Sequence, residues 1–161
     1  LLASLAISNR AAAGQFAATY FAPNSQTVNV GTQASVDLTF AVGSSGAYGI
    51  DAWIAFDPDV LQVLSVTTGN SSPYTSVSIN TFDNSLGTLR YAATGGTVSN
   101  NTLTAAMIVF SAIAPGTSPI DIINVNEYIV NYGPYGVNGL AVDGSITVEG
   151  SALVSTPEAG A

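Results

Sequence analysis

The stretch Gly49-Ile-Asp-Ala-Trp-Ile-Ala-Phe-Asp-Pro-Asp-Val-Leu-Gln-Val-Leu-Ser-Val-Thr-Thr-Gly69 predicts two strands and the turn between them. The apolar residues on one face of the first strand are Ile50, Ala52, Ile54 and Phe56. Their period of two is that of a strand with one buried face. Pro58, with an aspartate on either side, then favours a chain reversal because proline presets the backbone of a turn. Residues 60–66 predict the next strand, with a bulge where the alternation slips.

The same period of two recurs along the rest of the chain. The alternating apolar sets are Val36, Leu38 and Phe40; Leu89 and Tyr91; Ile120 and Ile122; and Ile146 and Val148. Turn signals rich in glycine, proline, asparagine and aspartate separate these sets, and no long amphipathic helix is visible. The pattern predicts an all-β fold, an antiparallel β-sandwich with an extended N-terminal arm.

Several of these segments resemble the cohesin family. The deciding stretch is similar to that family's strand, Asp-Pro turn and following strand, and the other similar segments are 30–40, 87–91, 105–110, 114–118 and 143–148. The resemblance covers about residues 26–150. It implies a jelly-roll β-sandwich related to carbohydrate-binding modules, with a non-catalytic role in protein–protein recognition. We therefore predict an arm over 1–25, the sandwich over 26–150 and a tail over 151–161.

The composition excludes most catalytic chemistry. The chain has no histidine, cysteine or lysine, so imidazole, thiolate and Schiff-base mechanisms are excluded. A carboxylate pair remains possible in principle, but the ten acids are scattered. Asp57, Asp59, Asp121 and Asp143 offer oxygen ligands suited to calcium, yet no EF-hand spacing is present and turn aspartates usually cap backbone amides. We predict no enzyme, no cofactor and no metal site.

Charge also restricts the partners and the location. The net charge of −8 disfavours nucleic acid and anionic membrane surfaces. No apolar run reaches the roughly eighteen residues that span a bilayer. With charged residues at only 7%, the surface must consist largely of hydroxyls and amides, which suits an exported protein. We expect an extracellular or cell-surface location.

The N-terminal arm suggests self-assembly. Leu1, Ala3, Leu5 and Ile7 share one face of an extended segment, and burying each large side chain would contribute about 1.5–3 kcal/mol. The arm either packs on its own domain or inserts as a donor strand into a neighbouring copy. The main hypothesis is a structural subunit that polymerises into a surface filament or layer. The alternative is a monomeric recognition module that binds a protein partner or a polysaccharide.

Apolar residues at outward positions predict the rest of the interface. Trp53 lies opposite in phase to the core residues of its strand, and Met107 and Val109 do the same in theirs. A solvated face would not carry them, so they are predicted to contact the arm, a neighbouring subunit or a covering loop of the same chain. A sugar-stacking platform would need further aromatic residues beside Trp53 and is the weaker prediction, because the candidates lie mostly in loops: Tyr74, Tyr128, Tyr132 and Tyr135.

Two N-glycosylation sequons, at Asn70 and Asn100, fall in predicted loops. They are candidate modification sites.

Overall fold

The computed structural model describes residues 18–70, 72–130, 137–138 and 140–150. In this part of the chain, twelve strands form two sheets. They are β1 Ala18–Ala22, β2 Ser25–Asn29, β3 Gln33–Val42, β4 Ala47–Phe56, β5 Leu61–Thr68, β6 Ser76–Asp83, β7 Thr88–Val98, β8 Asn101–Ala112, β9 Gly116–Ile129, β10 Val137–Asn138, β11 Leu140–Val142 and β12 Gly144–Glu149. The predicted β-sandwich is confirmed.

The two sheets differ in size. The small sheet has the order β11-β1-β3-β8-β5, and the large sheet has the order β2-β12-β9-β4-β7-β6. The short strand β10 also pairs with the last part of β9, beyond the residues that pair with β12. Consecutive strands often lie in different sheets, so the connections cross between the layers as they do in a jelly roll.

The core between the sheets consists of the predicted alternating residues. The buried members include Val36, Leu38, Phe40, Ile50, Ile54, Phe56, Leu61, Leu89, Tyr91, Ile120, Ile146 and Val148. Phe56 packs edge-on against Phe110 of the opposite sheet at 5.5 Å between ring centroids. Phe56 and Leu61 are therefore core residues on either side of the Asp57–Asp59 turn, as predicted.

Two parallel strand pairs depart from the predicted antiparallel arrangement. β11 runs parallel to β1, and β12 runs parallel to β2. Parallel neighbours require a long connection, and here almost the whole domain separates the paired strands. The period of two reveals which residues share a face, but it carries no information about such long-range pairing.

The sandwich begins earlier than the predicted domain boundary. β1 starts at Ala18, inside the range assigned to the arm, and Phe21 of this strand is fully buried in the core. Leu1, Ala3, Leu5 and Ile7 lie outside the described residues, so the predicted donor strand remains a prediction.

The free edge of β5 is capped by side chains. The Asn84 side chain accepts a hydrogen bond from the Val63 N–H at 2.7 Å and donates to the Val63 carbonyl at 3.0 Å. Asn80 donates to the Val66 carbonyl at 2.9 Å. The strand also carries the predicted bulge, between Val63 and Ser65. Side-chain hydrogen bonds to the edge backbone and a β-bulge both protect an edge strand against the addition of another strand.

We expect Asn84→Ala to lower the free energy of unfolding by about 1–3 kcal/mol, because two hydrogen bonds of about 0.5–1.5 kcal/mol each are lost. The uncapped edge should also promote self-association. Urea denaturation and size-exclusion chromatography measure the two effects. Asn124→Ala is the matched control, since Asn124 is exposed and should change neither. A stable, monomeric Asn84→Ala chain would contradict the capping role.

Candidate functional site

Trp53 lies on the solvent side of the large sheet, which we call the outer face. Its side chain is 39% exposed, while Ile54 and Ala52 on either side of it are fully buried. β4 does contain an irregularity between Ala47 and Gly49, but the alternation after it preserves the predicted direction of Trp53. Tryptophan is seldom left on a solvated sheet face and is enriched in binding interfaces.

Arg90 and Asp51 hold Trp53 in place. Trp53 pairs with Arg90 across β4 and β7, and the guanidinium carbon lies 4.5 Å from the ring centroid. Arg90 Nε and Nη2 donate to the two carboxylate oxygens of Asp51 at 3.0 and 2.8 Å. This hydrogen bonding raises the pKa of Arg90, whose guanidinium is a cation in any case. Stacking and a bidentate ion pair together preorganise the aromatic ring.

A β-bulge places a second apolar residue beside the tryptophan. Trp53 pairs with Asn124 and Ile54 pairs with Ile122, so Ile123 is the extra residue of β9. It is 58% exposed. Trp53 and Ile123 line an open cleft of about 390 Å³, together with Thr81, Thr88 and Arg90, among others.

The hairpin of β6 and β7 carries two more exposed apolar residues, Phe82 in the lining of the cleft and Leu86 at the tip. Leu86 is 70% exposed there. Asp83, which also lines the cleft, accepts hydrogen bonds from the Ser85 hydroxyl and from the backbone N–H groups of Ser85 and Leu86. These hydrogen bonds lower the pKa of Asp83, and the bond from the Ser85 hydroxyl has the largest effect. A fixed loop therefore presents an apolar side chain next to a carboxylate.

Tyrosines divide between the face and the core. Tyr48 and Tyr128 pack against each other on the outer face, with ring centroids 5.8 Å apart and ring planes tilted by 31°. Tyr74 is fully buried instead, and its hydroxyl donates to the Ala47 carbonyl at 3.2 Å. Burial, and secondarily the Glu127 carboxylate, raise the pKa of Tyr74, which keeps the hydroxyl a neutral donor. Of the loop tyrosines considered for a sugar platform, Tyr74 is thus excluded, and Tyr132 and Tyr135 lie outside the described residues.

The structure separates the predicted interface residues. Met107 and Val109 belong to β8 of the small sheet and are half-buried on its outward side. Trp53 belongs to the large sheet, so the whole core lies between the two sets. The two sets therefore lie on different faces of the sandwich, and their contact with the arm or with a neighbouring subunit stays a prediction. Alternation predicts that a residue points away from the core, but not from which sheet.

A buried acid was missed by the sequence analysis. Glu127 of β9 is fully buried, and the Thr19 hydroxyl of β1 donates to it at 3.4 Å. Its neighbours in the sequence are polar or aromatic, so no local pattern distinguishes it from a surface residue.

The turn aspartates serve the backbone. Asp57 accepts from the Asp59 N–H at 2.9 Å, and Asp143 accepts from the Ile122 N–H at 2.8 Å. Among the described residues, no group of three or more potential metal ligands is found.

No helix within the described residues is long and apolar enough to cross a membrane.

Comparison with known proteins identifies the fold. No family model matches the sequence, and no curated protein matches it either. Solved structures do match. A chain of a type I cohesin–dockerin complex from Clostridium thermocellum has a TM-score of 0.69 at 12% identity, covering 85% of this chain and 96% of that one. The seventh ScaB type I cohesin from Pseudobacteroides cellulosolvens gives 0.65 at 18% identity, covering 89% and 98%. A non-cellulosomal cohesin from the archaeon Archaeoglobus fulgidus gives 0.63 at 10% identity, covering 83% and 90%.

The protein is thus a jelly-roll β-sandwich. More specifically, its fold is that of cohesin domains, as the sequence resemblance implied.

Proposed function

We propose that the chain is a non-catalytic extracellular recognition module that docks a protein partner on the outer face of the large sheet. The observation that carries the proposal is the cleft formed by Trp53 and Ile123. Two large apolar side chains project from a sheet face that water would otherwise cover, and the first is held by Arg90 and Asp51. Interfaces are anchored by such preorganised aromatic residues.

The comparisons support a protein rather than a small ligand as the partner. Several of the similar structures are cohesins in complex with dockerin domains. The cleft is also open and shallow, unlike the enclosed pockets that bury most of a small molecule. We infer a dockerin-like domain as the partner. A polysaccharide is the alternative occupant, and the Tyr48–Tyr128 aromatic pair on the same face is the observation in its favour.

The charge of the molecule indicates which partner surface fits. Arg90 is the one cationic side chain among the described residues, and its ion pair with Asp51 already neutralises its charge. Asp83 lines the cleft, and Asp121 lies on the neighbouring strand β9. A partner that places lysine or arginine around an apolar anchor would complement this rim and bind more weakly as salt is raised.

A polymerising subunit is the second hypothesis. It rests on the apolar arm Leu1–Ile7, and the capped edge of β5 argues against that strand as the acceptor. Size-exclusion chromatography of the full chain and of a chain starting at Ala18 distinguishes the two hypotheses. Assembly that depends on residues 1–17 supports the filament, and a monomer in both cases supports the recognition module.

We expect Trp53→Ala to weaken partner binding at least tenfold, since a central aromatic anchor is worth about 2 kcal/mol or more. Isothermal titration against a panel of dockerin domains and soluble polysaccharides provides the measurement. Leu140→Ser is the matched control, because Leu140 is exposed on the small sheet. Binding that survives Trp53→Ala but is lost in Leu140→Ser would place the docking surface on the small sheet. Binding to polysaccharides alone would show that the partner is a polysaccharide and not a protein.

A further inference from the structure

We infer that Asn100 is an N-glycan acceptor in the folded protein, whereas Asn70 is not. Both asparagines lie in sequons, and the sequence alone does not separate them. The inference rests on how each sequon is held in the fold, and it is independent of the docking face.

The Asn100 sequon is presented at the tip of a hairpin. Ser99 and Asn100 connect β7 to β8, and Asn100 has a φ of 50°. This left-handed conformation is one that asparagine tolerates better than most residues. The Asn100 backbone is anchored by its N–H, which donates to the Gly43 carbonyl at 3.1 Å. Its exposed side-chain amide makes no hydrogen bond within the described part of the chain.

The hydroxyl residue of this sequon is accessible as well. Thr102 is exposed at the start of β8. Its backbone N–H donates to the Asn101 side chain at 2.8 Å, and its hydroxyl has no hydrogen-bond partner among the described residues. A transferase must contact both the amide and this hydroxyl, and the fold offers both.

In the Asn70 sequon, the hydroxyl residue Ser72 is buried and bonded instead. The Ser72 N–H closes a turn onto the Gly69 carbonyl at 3.0 Å. Ser72 is only 8% exposed, and its hydroxyl accepts a hydrogen bond from the Tyr74 N–H at 3.3 Å. Gly69 is packed so closely against the Thr104 carbonyl that an added Cβ would overlap it. Releasing Ser72 to a transferase would therefore require this turn to unfold.

A neutral cleft of about 510 Å³ lies next to the hairpin tip. Its lining contains Asn70, Asn101, Thr102 and Thr104, together with Pro73, Val98 and Leu103. Amides, hydroxyls and short apolar patches without charge match the surface of a neutral sugar, so the cleft can receive a glycan attached beside it. Because Asn70 also lines the cleft, the distinction between the two sequons rests on Ser72 and Thr102.

The reaction uses a lipid-diphosphate-linked oligosaccharide as its co-substrate. The Asn100 Nδ2 forms a bond to the anomeric carbon, the bond from that carbon to the diphosphate oxygen breaks, and the lipid diphosphate leaves. The amide nitrogen loses one proton to the solvent, and the departing lipid diphosphate keeps the electron pair of the broken bond. No oxidant or reductant takes part.

The test compares the folded chain with isolated peptides. Synthetic peptides spanning 66–76 and 96–106 are used to choose an oligosaccharyltransferase that modifies both sequons when they are unfolded. The same enzyme and lipid-linked donor are then given to the purified, folded full chain, and peptide mapping by mass spectrometry locates the glycan. We expect modification of the chain at Asn100 and essentially none at Asn70.

Variants provide the controls. Asn100→Gln and Thr102→Ala should each abolish modification, and Asn70→Gln should leave it unchanged. Circular dichroism verifies that each variant is folded. Modification at Asn70 to an equal or greater extent, or a folded chain that is not modified at Asn100, overturns the inference.

Discussion

Leu61→Ala is expected to lower the free energy of unfolding by about 2–5 kcal/mol, the usual range for a buried leucine. Leu61 opens β5, is fully buried, and pairs with Ala112 across the small sheet. Its backbone N–H also donates to the Asp57 carbonyl at 2.9 Å and closes the turn. The backbone at this position is therefore held and cannot move far to fill the space that the leucine side chain leaves. The loss combines the transfer free energy of the removed atoms with the cavity that remains.

Leu64→Ala, in the same strand, is the matched control. Leu64 lies at the bulge and is 49% exposed. Its truncation should change the free energy of unfolding by no more than about 0.5 kcal/mol. Urea denaturation of both variants gives the comparison, and similar losses in the two would show that the register of β5 is wrong.

Gly87→Ala should destabilise the protein by about 3 kcal/mol or more. Gly87 has a φ of 65°, which costs an alanine about 1–2 kcal/mol. An added Cβ would also overlap the Phe56 carbonyl and crowd Pro58. The Phe56 N–H donates to the Gly87 carbonyl at 2.9 Å, so moving this backbone breaks a hydrogen bond of β4. Because Gly87 follows Leu86 at the hairpin tip, the variant should also disturb the docking surface.

Gly31→Ala separates conformational strain from the overlap. Gly31 has a similar φ of 82°, but nothing lies within 4 Å of its added Cβ. We expect this control to lose only about 1–2 kcal/mol in thermal or urea unfolding. If the two variants lost the same stability, the contact with Phe56 would have no energetic role.

The candidate site was only partly predictable. The outward direction of Trp53 followed from its phase relative to Ile54 and Ala52. Its contact with Arg90 did not, because that contact depends on the register between β4 and β7. Ile123 was missed for a related reason, since a bulge in β9 is defined by the strand beside it.

The sequence by itself determined the all-β class, the core faces of the strands and the Asp57–Asp59 turn. These features depend on a period of two and on local turn chemistry, which neighbouring residues specify. Only the tertiary structure decided which strands are neighbours, that Met107 and Trp53 lie on opposite sides of the core, and that Glu127 is buried. It also decided that Ser72 of the Asn70 sequon is buried, whereas Thr102 of the Asn100 sequon is exposed. Each of these depends on contacts between residues far apart in the chain, and pairing and burial at that range leave no local pattern in the sequence.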